Sequence, residues 1–247
     1  MPTALFVPET ALLVPGVAGR AEELRTVREA SIGAAQRLVA GAPARVVVVG
    51  PAPRPRTADA ASLCASLAPL GVAERHLGWP APCTLAGCPE HLGAPPDVDA
   101  VAAPATAVGL RLLAAAGWTG PTTVVEVAPF PVTDDAVDLA GADLLVLGSL
   151  SARREDASPR AADPRAIPTD TALAADLAAP APAALARLGD LDTALADELD
   201  ITGAGPWRLV ASWLAGRTVA GDVVGGDEGA QPALGMDYRV WSWRWSA

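Results

Sequence analysis

Residues Asp143–Arg154, DLLVLGSLSARR, are the stretch on which the fold turns. Leu144–Leu147 is an unbroken apolar run closed at once by Gly148. A run this short, bounded by a breaker, reads as a strand buried on both faces of a sheet. Past the glycine, Ser149, Ser151, Arg153 and Arg154 place hydroxyls and guanidinium groups at the strand's carboxyl end, where open α/β sheets keep their binding crevices. The same residues also suit a plain turn, with serines bonding backbone and arginines solvated.

Upstream, Arg45–Val49 (RVVVV) is four consecutive valines bounded by Pro43 and by Gly50-Pro51, the pattern of a central, doubly covered strand. Leu5–Val7 is a shorter strand. It leads into a proline-bounded loop, Pro8–Gly16, whose Leu12, Leu13 and Val14 are expected to turn back into the core. Between these strands, Leu24, Val27, Ala30, Ala34 and Leu38 recur at spacings of three and four, predicting an amphipathic helix over Ala18–Val39. Downstream, short helices are expected at Ala58–Leu67 and Asp134–Ala140, a longer one at Pro104–Ala116, and a strand at Thr122–Val127. Beyond the site turn, helices are expected at Thr169–Ala178, Ala183–Leu188, Leu191–Leu199 and Pro206–Ala215, broken by Pro180, Pro182, Gly203 and Gly205. Asp237–Trp245 alternates, with Trp241, Trp243 and Trp245 on one face and Ser242 and Arg244 on the other, as in a terminal strand. The expectation is one α/β domain over residues 1–247, three-layered α/β/α, with a mixed, largely parallel central sheet.

Composition narrows the function. Hydrophobic residues make up 51% of the 247 and charged residues 19%, enough apolar material for a sizeable core. A net charge of −10, with all 18 basic residues arginine, argues against a nucleic-acid binder, which needs a concentrated basic face. The opening MPTALFVPETALLVPG lacks a basic start and carries Glu9 and prolines, so neither a signal peptide nor a membrane span is expected, and a cytoplasmic location follows by default. Cys64, Cys83 and Cys88 are then expected to be reduced.

No glycine-rich phosphate loop follows the early strands, and no GxSxG elbow occurs. Cys83, Cys88 and His91, with His76 upstream, are the one cluster of soft ligands; they suit a zinc site or a loop with buried thiols. Among carboxylates, Glu9, Asp59, Glu126 and Glu198 are candidates to converge, and equally ordinary surface or capping residues.

Taken together, FVPETALLVPGVAGRAEELRTVREA, RVVVVGPAP, GSLSARR with SPRAADPRAIPTDTALAADL, GAGPWRLVASWLAG and GMDYRVWSWRW resemble the class III extradiol ring-cleavage dioxygenase superfamily of the LigB-like type, and most closely its alanine-rich actinobacterial members. The resemblance spans nearly the whole chain and is poorest over Pro51–Pro96. It implies a non-heme iron oxidoreductase acting on catecholic aromatics, with two histidines and a glutamate holding ferrous iron and a further histidine as acid/base. Here Glu9 stands where the first histidine ligand would be, no histidine follows Val49-Gly50-Pro51, and Ala152 takes the acid/base position. The implied catalytic set is therefore Glu9, Ser149, Ser151 and Arg153, with Arg153, Arg154 and Pro51 against a small aromatic or anionic ligand, and Glu9 and Glu198 as metal-site carboxylates. A degenerate or altered activity is implied. The alternative is a non-catalytic small-molecule-binding or assembly subunit, a homo-oligomer among its forms, using Trp241, Trp243 and Trp245 or the Cys83–His91 loop as its contact surface.

Overall fold

The computed structural model describes residues 1–80, 98–128, 137–225 and 231–246. Nine strands and six α-helices are described: β1 (Thr3–Val7), α1 (Arg25–Ala40), β2 (Val46–Pro51), β3 (Arg56–Asp59), α2 (Pro104–Ala115), β4 (Thr122–Val127), β5 (Asp143–Leu147), α3 (Ala166–Ala178), α4 (Pro182–Gly189), α5 (Thr193–Glu198), α6 (Ala204–Trp213), β6 (Val219–Val223), β7 (Gln231–Ala233), β8 (Met236–Tyr238) and β9 (Trp241–Trp245). Seven strands form one sheet in the order β3-β4-β2-β5-β1-β9-β6; β7 and β8 pair separately. The inner strands β4, β2, β5 and β1 run parallel; β3 pairs antiparallel with β4 at one side, and at the other β9 pairs antiparallel with both β1 and β6. The chain has the α/β fold expected of it.

The layers follow from the period of two along each inner strand. Leu5 and Val7 of β1, Val46 and Val48 of β2, and Leu145 and Leu147 of β5 pack against α1 and α2. Their neighbours Ala4, Phe6, Val47, Val49, Leu144 and Val146 face α3 to α6. Trp241, Trp243 and Trp245 point into that second layer and are each exposed by 2% or less. Trp243 lies 4.3 Å from Phe6 between ring centroids, and Trp207 and Trp213 of α6 meet Trp241 and Trp245 edge-on. Such pairs add roughly 0.5–1.5 kcal/mol each beyond the area they bury. The indole face is therefore core, not a contact surface.

Several elements differ from expectation. Helix α1 starts only at Arg25, because residues before it turn to let Leu24 into the core and because Arg28 donates from Nε to the Leu13 carbonyl (2.7 Å) and from Nη2 to that of Leu12 (3.2 Å). That tie seats the loop after β1, with Leu13 and Val14 buried as expected. In place of a helix over Ala58–Leu67, β3 pairs with β4, and Asp59 caps a single helical turn at Ala60–Ser62. The terminal stretch splits: β8 turns back on β7, and only β9 joins the sheet. Cys64 is buried and disulfide-bonded, which corrects the expectation of a reduced thiol there. Cys83, Cys88, His91 and residues 134–136 lie outside the described residues. No helix among the described residues is long and apolar enough to cross a membrane.

Candidate functional site

The strand order brings β5 between β1 and β2, so the loops leaving the carboxyl ends of these three parallel strands come together. A cavity of about 670 Å³ opens there. Glu9, Pro51 and Ser149 line it, one from each strand end. The segment Ala196–Thr202 forms a second wall, and Leu234, Met236 and Tyr238 from the β7–β8 hairpin form a third. Most of the surface is apolar, contributed by Leu12, Ala52, Pro104, Ala105 and Ile201 among others.

A polar cluster interrupts it at the strand ends. Ser149 donates its hydroxyl to Glu9 Oε2 and Thr202 donates its hydroxyl to Glu9 Oε1, both at 2.6 Å. Thr202 Oγ1 in turn accepts the Ser149 backbone N–H at 3.0 Å, and Ser149 O accepts from Gly203 N at 3.2 Å. This closeness depends on two glycines. A Cβ on Gly148 would lie 2.3 Å from Gly203 Cα, and one on Gly203 would lie 2.1 Å from the Trp207 ring. Gly148 lets the β5 turn touch the loop before α6, and Gly203 lets the Trp207 ring pack onto that loop.

Tyr238 closes the cavity beside this cluster. It is 3% exposed, and its hydroxyl donates to Met236 Sδ at 3.2 Å. Burial pushes its phenol up to about 12, the nearby Glu9 charge pushes the same way, and a hydrogen bond with Thr10 opposes both.

The remaining expected site residues lie elsewhere. Ser151 is buried, donating its hydroxyl to Leu199 O (2.7 Å) and its backbone N–H to Asp170 Oδ1 (2.9 Å). Arg154 bonds Asp170 Oδ2 at 2.9 Å and lies 3.6 Å from Asp237. Arg153 reaches the Ala161 carbonyl, and its Nε is buried without a partner. None of the three lines the cavity, because the chain after Leu150 turns toward α3 instead of back over the strand ends. Glu198 sits on the surface, ion-paired with Arg165 at 2.7 Å, and does not line the cavity. Glu126 is also engaged: it accepts from Ala103 N and Thr106 Oγ1 at the start of α2 and from Arg56. Asp59 caps the turn after β3. Thr202 and Tyr238 join the site without having been singled out in the sequence.

These side chains do not fit ferrous iron. Glu9 already accepts a hydroxyl on each oxygen, Pro51 and Ala152 offer no side-chain donor, and Glu198 is engaged on the surface. Among the described residues no three His, Cys, Asp or Glu side chains come together as a ligand set, whereas a facial iron site needs three. Nor do the residues suit an anion: the lining includes Glu9, Asp197 and Asp200 and, among the described residues, no arginine or histidine. No protein-family model and no curated protein matches the chain.

Proposed function

We propose that this protein binds a small, largely apolar molecule in the cavity at the carboxyl ends of β1, β2 and β5, as a binding relative of the extradiol-dioxygenase scaffold that does not use iron. The observation that carries this reading is a largely apolar cavity at whose wall the Glu9 carboxylate is fixed by Ser149 and Thr202. Ligand sites of a few hundred Å³ are built this way: apolar surface supplies affinity, and a few placed polar groups supply orientation. The position also fits, since parallel sheets bind ligands beyond their carboxyl ends. An assembly role resting on the tryptophans has less support, because all three are buried.

The test is binding of small aromatics by ligand-observed NMR titration, on the native chain and on Ala105→Phe and Leu12→Trp, which enlarge two residues of the lining. Either filled variant is expected to lose binding at least tenfold while melting within a few degrees of the native chain. Binding unaffected by both would overturn the reading. So would near-stoichiometric retention of ferrous iron after anaerobic loading and desalting, together with oxygen-dependent catechol cleavage.

A further inference from the structure

We propose that the cavity selects organic cations: a protonated amine on a small apolar body, its ammonium group set against Glu9, Ser149 and Thr202. This rests on the small-molecule reading above and assigns the chemical class of the ligand. Hydrogens are the first consideration. Ser149 and Thr202 each have one hydroxyl hydrogen, and each gives it to Glu9. The Ser149 backbone N–H is given to Thr202. The hydroxyl of Tyr238 is directed at Met236. What these side chains still present is lone pairs: two carboxylate oxygens with unused acceptor sites and the oxygens of the two hydroxyls.

A ligand group that itself needs donors finds none in this cluster. A carboxylate, a phosphate or a ketone would meet acceptors only. An ammonium group is the converse, three donors and no acceptor, and it can place N–H bonds on Glu9 and on a hydroxyl oxygen together. Charge points the same way. Asp197 and Asp200 add acidic side chains to the lining; Asp200 is held by Arg160 at 2.7 Å, and Asp197 is exposed. The two arginines suited to an anion, Arg153 and Arg154, are turned away from the cavity, with Arg154 engaged by Asp170 and Asp237. Beside the Glu9 cluster, Met236 and Tyr238 offer a soft, polarisable surface of the kind that accommodates cations bearing hydrocarbon. A neutral alcohol satisfies the donor requirement but not the charge.

Three shape-matched probes separate these features: benzylammonium, benzyl alcohol and benzoate, each titrated by NMR against the native chain, Glu9→Gln and Ala105→Phe. Benzylammonium is expected to bind roughly tenfold tighter than benzyl alcohol, since hydrogen bonds to charged groups outweigh neutral ones, with benzoate weakest. Its affinity should fall as salt rises while that of the alcohol stays level, a measurement that needs no variant. Glu9→Gln, which keeps the shape and adds donors, should erase the preference. If benzyl alcohol or benzoate binds as well as benzylammonium, and Ala105→Phe still abolishes binding, cation selection is wrong and the small-molecule reading stands. If no probe binds in a manner sensitive to Ala105→Phe, both fail.

Discussion

Two serines, two residues apart on the same turn, have opposite fates. Ser149 gives its hydroxyl to Glu9 at the wall of an open cavity; Ser151 gives its own to the Leu199 carbonyl and its N–H to Asp170 inside the protein. Each has an acid nearby, but the acids are treated differently. Asp170 is 1% exposed and is matched by Arg154. Burial still pushes its carboxyl above the usual range, against the Ser151 N–H and Arg154, which pull it down. Glu9 is met by hydroxyls alone, and no arginine pairs with it among the described residues. A buried carboxylate with its own cation is bound up in structure; a carboxylate held by neutral donors at a cavity wall retains an unmatched charge for a ligand.

The contrast is largest at Asp170. Asp170→Ala leaves Arg154 without its main partner and the Ser151 N–H unsatisfied, at a cost of about 3 kcal/mol. For a chain of this size that lowers Tm by roughly 6–12 °C, read by calorimetry or circular dichroism. A fall of only a degree or two would mean that the Ser151 neighbourhood is as open as that of Ser149. The serines themselves give the next largest difference. Ser151→Ala removes a buried donor to Leu199 O and the acceptor for Arg153 N (3.0 Å), so about 1–2 kcal/mol is expected. Ser149→Ala should cost less than about 1 kcal/mol, because water in the cavity can replace the hydroxyl on Glu9. It should instead weaken benzylammonium binding. Equal losses of stability in the two variants would place both serines in the same structural role.

Why the sequence shows one half of this contrast and hides the other is a matter of range. The strands are legible because Val46–Val49 and Leu144–Leu147 are apolar on both faces, a local property, and β9 because its tryptophans alternate. Glu9, Pro51 and Ser149 are legible as residues of the cavity wall because each lies at or just past the end of a buried strand. The arginines misled because two residues of chain direction decide whether a side chain faces the cavity or α3, and the deciding partner, Asp170, sits within TDTALAADL, where nothing local marks it as buried. Glu198 resembled a ligand only by its place in the chain; at the end of α5 it is exposed and pairs with Arg165. Thr202 was hidden by its separation from Ser149, although Gly203 beside it was a signal that something approaches closely there. Tyr238 had a signal too: it is the single tyrosine of the chain.

That singularity supplies the finest test. Every tyrosinate absorbance change in this protein reports Tyr238 alone. In a stopped-flow pH jump, before the chain unfolds, its midpoint is expected at about 12 instead of the ordinary value near 10. Because the folded chain holds this proton more tightly than the unfolded one, the stability Tyr238 contributes is fully present below pH 10 and is lost as pH rises toward about 12. Burial is the larger cause and the Glu9 charge the second, so Glu9→Gln should lower the midpoint part of the way and leave it raised. A native midpoint near 10 would mean that the β7–β8 hairpin does not close the cavity over the ring. A raised midpoint that Glu9→Gln leaves unmoved would mean that the carboxylate's charge does not reach the phenol, and would remove the electrostatic difference between Glu9 and Asp170 on which selection of a cation depends.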